Sequence, residues 1–378
     1  MNLLGYPNSL SGEPNNSKRR VPMTSAASNI RRATMLSAAL LLAACGGTTS
    51  DTSTTSLTPE ESTGQELRGQ TVTIYSGRNE TLMAPLFEQF TNDTGIEVEV
   101  RYGDSGEMAA LILTEGDKSP ADVYFSQDAG ALGAVDDSGL FAALPDDITS
   151  LVVPTFQSDT GNWVATSGRA RVLVYNQNLV AVPPASLDDV LDPRWKGKIG
   201  YAPSNASWQS FVTALRVTRG EAGARTWLDG FAANEPVPYE KNGVVRDAVN
   251  SGEVSLGLIN HYYLYELIAS VGQENVVTKN HYFKDGDAGS LINVAGAAVL
   301  ASSDRIDAAL AFVRYLLSPA GQKYFVERTF EYPMISGVSA FSELPTLEEL
   351  NPPAINLADL KSLEATQAML EDVGLLTR

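Results

Sequence analysis

The chain has 378 residues, with 45 acidic against 27 basic side chains, two histidines and a single cysteine. A formal charge of −18 excludes the phosphate-neutralising surface of a nucleic-acid binder, and one cysteine excludes a disulfide framework or a Cys-rich metal site. At 43% apolar and 19% charged residues the composition is globular, and the length exceeds what one hydrophobic core serves, so two lobes are expected.

In chain order, Arg31 and Arg32 precede an apolar run from Met35 to Ala44, and the small residues Ala43 and Ala44 lead into Cys45. A basic segment, a short apolar run and small residues describe an export signal over residues 1–44. The run gives about 15 Å of helix, half of what a bilayer needs. Leu42-Ala43-Ala44-Cys45 resembles the bacterial lipobox, which implies cleavage before Cys45 and a lipid on its thiol. Arg31-Arg32 leaves both the general and the twin-arginine export routes open. Residues 46–66 are rich in Thr, Ser, Gly, Asp and Glu without an apolar period, and read as a flexible tether behind Cys45.

From Leu67 the pattern becomes that of alternating strands and helices. Thr71–Tyr75 alternates as a strand, and Leu82, Leu86, Phe87 and Phe90 then recur at helical spacing until Thr94-Gly95 stops the helix. Ile96–Tyr102 reads as a strand, Met108–Thr114 as a helix and Ala121–Ser126 as a strand. The order implies βαβ units and a mostly parallel sheet. Around Trp163–Tyr175 two β-like stretches flank Ser167-Gly168-Arg169 with no helix between, which suggests a crossing between lobes. The second lobe repeats the scheme: a strand at Ile199–Ala202, a loop at Pro203–Ser207, a helix from Trp208, a strand at Val254–Ile259, and a helix after Asn260-His261-Tyr262-Tyr263. Ser290–Leu300 carries the chain back, followed by helices at Asp304–Leu317 and Ala320–Arg328 and a helical tail from Leu357. The expected division is lobe one at 67–168, lobe two at 169–289, a return to lobe one at 290–342, and C-terminal helices at 343–378 packing on lobe two.

In such sheets ligands sit outside the carboxyl ends of the strands. Four strand ends carry polar clusters: Arg78-Asn79-Glu80, Gln127-Asp128, Ser204–Ser207 and Asn260–Tyr263. Two clusters come from each lobe, as an interlobe cleft requires.

Several strings together resemble the bacterial ferric-ion-binding proteins, solute-binding proteins of ABC importers with the type II periplasmic-binding-protein fold. They are Thr73-Ile74-Tyr75-Ser76-Gly77-Arg78, Ser119-Pro120-Ala121-Asp122-Val123, Ser167-Gly168-Arg169-Ala170-Arg171, Trp195-Lys196-Gly197, Tyr262-Tyr263, Val294–Val299 and Glu331-Tyr332-Pro333. The resemblance covers nearly the whole body. It implies an α/β two-lobed fold with hinge crossing strands, and Fe³⁺ carried as cargo to a membrane permease without chemistry on it. It also implies an exported, lipid-anchored monomer with no nucleic-acid partner.

Ferric ion is a hard cation that prefers anionic oxygen, and phenolate is such a donor. Just past a strand the side-chain alternation breaks, so the oxygens of Tyr262 and Tyr263 can converge on one metal. A phenol ionises near pH 10, so binding must displace protons. Two positions depart from the family pattern: Asn79 stands where a histidine ligand is implied, and Gln127 where a glutamate is. Neutral amides are poor Fe³⁺ donors. Glu80 is the neighbouring carboxylate that could replace them, or an acid favoured at a helix N-terminus. Relatives with fewer protein ligands complete the metal sphere with an anion such as carbonate or phosphate. The matching positions are Ser204, Asn205, Ala206 and Ser207 at a helix N-terminus, with Asn242, Asn260 and Arg78 as further donors. The same loop also reads as an ordinary helix cap. His261, beside the tyrosines, is expected to point away from the site. No P-loop, GxSxG or GxGxxG string and no Ser-His-Asp set occurs, so no enzyme is expected. The alternative cargo on the same fold is a small organic anion, a phosphonate or a sugar acid.

Overall fold

The computed structural model describes residues 66–376. The export signal, Cys45 and all of the tether but Glu66 lie outside the described residues.

Strands β1 (Thr71–Ser76), β2 (Glu97–Tyr102) and β3 (Val123–Ser126) form a parallel trio, with helix α1 (Glu80–Thr94) between the first two and α2 (Ser105–Glu115) between the next. Val, Ile, Tyr and Phe suit the pleated, half-buried surface of these strands. β3 is wholly buried, while β2, at the edge, alternates its acids Glu97 and Glu99 outward. In α1 the buried stripe is Met83, Leu86, Phe87 and Phe90, with Leu82 only partly covered. Asn79 caps its start, accepting the Leu82 amide, and Gly95 ends it at φ 76°. α3 (Ala129–Asp136) follows β3 and is capped by Asp128.

Strand β4 (Trp163–Asn176) is the backbone of the molecule. The sequence suggests two stretches here; the structure has one strand of 14 residues, with a register shift between Ala165 and Ser167. A single extra residue thus bends the strand without breaking it. Its first half pairs antiparallel with β9 (Ile292–Val299) and its second half with β7 (Leu256–Asn260) and β8 (Thr278–His281). β4 therefore crosses from one lobe into the other, and β9 lies beside it on the return.

In the second lobe β5 (Ile199–Tyr201), β6 (Val237–Pro238) and β7 form another parallel trio, giving the strand order β2-β1-β3-β9-β4-β7-β5-β6. The expected parallel pairing holds within each trio, and antiparallel β9 and β4 join them. β10 (Tyr332–Pro333) adds to β4 at Ser167 and Gly168. Helix α4 (Ala206–Ala233) starts two residues earlier than the sequence suggests and is interrupted at Gly220, whose φ of 68° and ψ of 169° no other residue adopts easily. Trp208, Phe211, Trp227 and Phe231 pack around Tyr201 as this lobe's aromatic core. α5 (Asn242–Ser251) and α6 (Tyr262–Val271) complete it.

α7 (Ile306–Leu317) and α8 (Pro319–Arg328) return to the first lobe, where Phe312 meets Phe87 and Phe90. In the tail, α9 (Leu363–Asp372) contributes Met369 and Leu370 to the second core, while Leu357 and Leu360 just before it belong to the first. Among the described residues, no helix is long and apolar enough to cross a membrane.

Candidate metal and anion site

β7 ends at Asn260, and the chain turns at once into α6, which begins at Tyr262. His261 occupies the corner and is fully buried. Its Nδ1 accepts the Ala170 amide at 3.1 Å, so Nε2 carries the proton and donates to Phe330 O at 2.8 Å. Both ring nitrogens are thus committed, and burial lowers the ring to about 4, keeping it neutral. As expected, it points away.

At the helix start the rings of Tyr262 and Tyr263 lie side by side, with centroids 4.3 Å apart and planes at 31°. Tyr262 is 5% exposed. Burial pushes its hydroxyl well above the ordinary phenol range, and Tyr263 and Glu266 add to the effect while Arg169 opposes it. Burial raises Tyr263 as well, against hydrogen bonding to Tyr262 and Asn242 and the pull of Arg169. Both phenols therefore keep their protons at neutral pH.

The charged framework beneath them comes from β4. Residues two apart on a strand share a face, so Arg169 and Arg171 lie on one side. Arg169 is 2% exposed; its Nη2 donates to Gln127 O, while Nε and Nη1 have no partner. Burial disfavours its charge; Glu331, Tyr262 and Asp128 favour it. Arg171 donates from Nη1 to Ser207 O at 3.2 Å and from Nη2 to Leu258 O at 2.7 Å, and sits over the Phe211 ring at 5.0 Å. Its Nε has no partner, and Tyr263 is the group that supports its charge. Arg78 pairs with Glu331 at 3.0 Å, at 3% and 2% exposure, and leaves its Nη1 free. Ser167 donates to the same carboxylate at 2.5 Å. Burial pushes Glu331 up, but Arg78 and Arg169 outweigh it and hold the group below the usual carboxylate range. One turn along α6, burial raises Glu266 to about 7, and Arg246 stands 3.6 Å away.

Asn242 Nδ2 donates to Asn205 Oδ1 at 3.1 Å and to Ser207 Oγ at 3.0 Å, and Ser207 Oγ donates to Asn205 Oδ1 at 2.7 Å. Asn205 also caps α4 by accepting the Ser207 amide, and Ala206 opens the helix. Ser204 is exposed, and Asn260 is buried opposite Arg171 in the sheet. These bonds join Asn205, Ser207 and Asn242 to one another. On the first lobe, Asn79 and Glu80 are exposed, and Asn79 serves as a helix cap. Gln127 is half-buried, with its backbone amide on Ser105 Oγ at 2.9 Å and its carbonyl on Arg169. Gly77 permits that approach, since a Cβ there would collide with Ser105. Among the described residues, no group of three or more His, Cys, Asp or Glu is placed to hold a metal ion. Tyr262 and Tyr263 present two adjacent phenol oxygens, a hard-oxygen donor type. Sequence reasoning missed Arg169 and Arg171, Glu331 and Glu266 as parts of this site. The available signal was two arginines at alternate positions inside an otherwise apolar strand, and an acid three and four residues after the tyrosines.

The family model for bacterial extracellular solute-binding proteins matches residues 75–323. This chain belongs to that family. Among curated relatives, the Fe(3+)-binding periplasmic protein of Serratia marcescens is 34% identical over 310 residues, covering 81% of this chain and 91% of the relative. The crystal structure of iron-bound HitA from Pseudomonas aeruginosa superposes with a TM-score of 0.77 at 36% identity, covering 81% of this chain and 100% of that one. A Trichodesmium protein in complex with iron and citrate matches with a TM-score of 0.69 at 28% identity, over 81% and 99% of the two chains. These comparisons establish the two-lobed solute-binding fold.

Proposed function

We propose that this solute-binding protein captures Fe³⁺ in the cleft between its lobes and delivers it to the permease of an ABC importer. The protein works outside the cytoplasm, held to the membrane by a lipid on Cys45. The observation that carries the reading is the buried Tyr262–Tyr263 pair, two hard-oxygen donors side by side at a strand end between the lobes. Proteins similar over four-fifths of the chain are named for ferric-iron binding, which supports it. Ferric ion entering the site displaces both phenol protons, and its charge then offsets the burial that holds them. Asn79 and Gln127 offer only neutral oxygens, so Glu80, brought in by hinge closure, and a carbonate- or phosphate-like anion complete the sphere. No nucleophile or acid–base pair is required, since the cargo is carried unchanged.

Metal analysis of protein purified without chelators tests the reading. It expects about one iron per chain. An iron-free protein that instead retains an organic acid, phosphonate or sugar acid would support the alternative cargo.

A further inference from the structure

The C-terminal segment is fastened to both lobes at consecutive residues. On the first lobe, Leu357 and Leu360 are buried in the core that also holds the apolar face of α3. Lys361 Nζ lies 2.8 Å from Asp137, at the end of α3. The segment comes closest at Gly130 in the first turn of that helix, where a Cβ would stand 2.4 Å from Leu360 O. On the second lobe, Arg216 of α4 donates from Nη1 to Ser362 O and Oγ, each at 3.0 Å, and to Thr366 Oγ1 at 2.8 Å. Thr366 is fully buried, and its hydroxyl is 2.7 Å from that of Thr213. From there α9 runs on into the second core.

α3 and α4 also meet directly. Ser210 of α4 donates to Asp128, the cap of α3, and Ala214 of α4 lies in the first-lobe core. The change of lobe in the tail falls between Lys361 and Ser362, so the chain there has almost no slack. Two residues of extended chain span at most about 7 Å. The first turn of α3, which holds Leu360, and Arg216 of α4, which holds Ser362, therefore cannot part unless one anchor breaks. Breaking the first exposes two buried leucines, and breaking the second leaves a buried hydroxyl and a guanidinium short of partners. The strands β4 and β9 can flex as a hinge, but this third crossing ties one edge of the two lobes together.

We infer that residues 357–366 form a strap that holds α3 against α4 and confines the lobes to rotation about that edge. Lobe movement is then set by the tail as well as by the crossing strands. Loosening either anchor frees the lobes to sample a wider range of separations without touching any residue of the tyrosine site. The inference rests on the two-lobed fold and not on the identity of the cargo.

The test is the interlobe distance distribution of the full-length, iron-free protein by double electron–electron resonance. Nitroxides are placed at Leu113→Cys on α2 and Val244→Cys on α5, both exposed, in a Cys45→Ser background. The strapped protein is expected to give one narrow distribution. Gly130→Ala, whose Cβ lifts Leu360 O and also crowds Asp128, and Arg216→Gln, which cuts the bonds to Ser362 and Thr366, should each broaden it at least twofold. Ile74→Val, a small core truncation in β1 outside the strap, should leave it unchanged, which separates release of the strap from general loss of stability. A distribution already broad in the strapped protein, an unchanged width in a folded anchor variant, or equal broadening in Ile74→Val overturns the inference. Should Gly130→Ala fail to fold, Arg216→Gln and Thr366→Val, which act on the second-lobe anchor alone, decide in the same way. The readout involves no metal, so loss of the ferric reading would leave the strap standing, and an unstrapped tail would leave the ferric reading standing.

Discussion

Replacing Glu331 by Gln should destabilise the iron-free protein by about 3–5 kcal/mol, the range for removing one partner of a buried ion pair. The structure sets this magnitude. Glu331 and Arg78 are nearly inaccessible and 3.0 Å apart, Ser167 donates to the same carboxylate, and Arg169 leans on it as well. Glutamine keeps the shape and loses the charge, leaving two buried guanidiniums without it. At about 2.1 cal/mol/K of unfolding entropy per residue, a body of this size moves by roughly 1.5 °C per kcal/mol, so Tm should fall by about 5–8 °C. The pH dependence carries a second check. Arg78 and Arg169 overcome burial and hold the Glu331 pKa down. Its stabilisation is therefore fully present above the unfolded glutamate pKa near 4.3 and lost as pH falls through the lower folded value. Differential scanning calorimetry at neutral pH and down an acid series measures both. A Tm within 1 °C of wild type at pH 7 would show that the pair is not the electrostatic centre of the cleft.

Tyr262→Phe keeps the ring that packs on Tyr263 and removes one ionisable donor. Each phenol must release a proton to ligate, so Fe³⁺ affinity should fall about a hundredfold per pH unit of acidification in the wild type and about tenfold in the variant. Chelator competition across pH 6–8, corrected for the chelator's own protonation, measures this; equal slopes would contradict joint ligation. Glu266→Gln should raise stability relative to wild type with increasing pH. Burial lifts the folded Glu266 to about 7. The wild type is therefore fully stabilised below the unfolded value near 4.3 and loses that advantage as pH rises toward 7. The Tm difference should open across that window and level off above it, and a difference constant with pH would refute the assignment.

Much of the fold is legible because its signals are local. The stripe Leu86, Phe87 and Phe90, the stop at Gly95 and the alternation in β1 each require only a few neighbouring residues. The tyrosine pair is legible for the same reason: two adjacent phenols after a strand combine a donor type with a local geometry. Arg169 and Arg171 are different. β4 is buried almost throughout by partners distant in sequence, β9 along its first half and β7 and β8 on opposite edges of its second half. Its hydropathy therefore does not mark which alternate residues underlie a cleft. Glu266 reads as a solvated helix position until Arg246 and the folded lobe enclose it. The continuity of β4 through Thr166 is hidden as well, because a bulge in a fully buried strand looks in sequence like an interruption between two strands.

The central claim is that two phenolates hold ferric iron, and the visible spectrum tests it most directly. Chelated Fe³⁺ added to the iron-free protein at neutral pH should produce a broad phenolate-to-iron charge-transfer band that saturates at one metal per chain and is lost in Tyr262→Phe/Tyr263→Phe. A wild-type spectrum without that band, or a band unchanged in the double variant, would contradict the account.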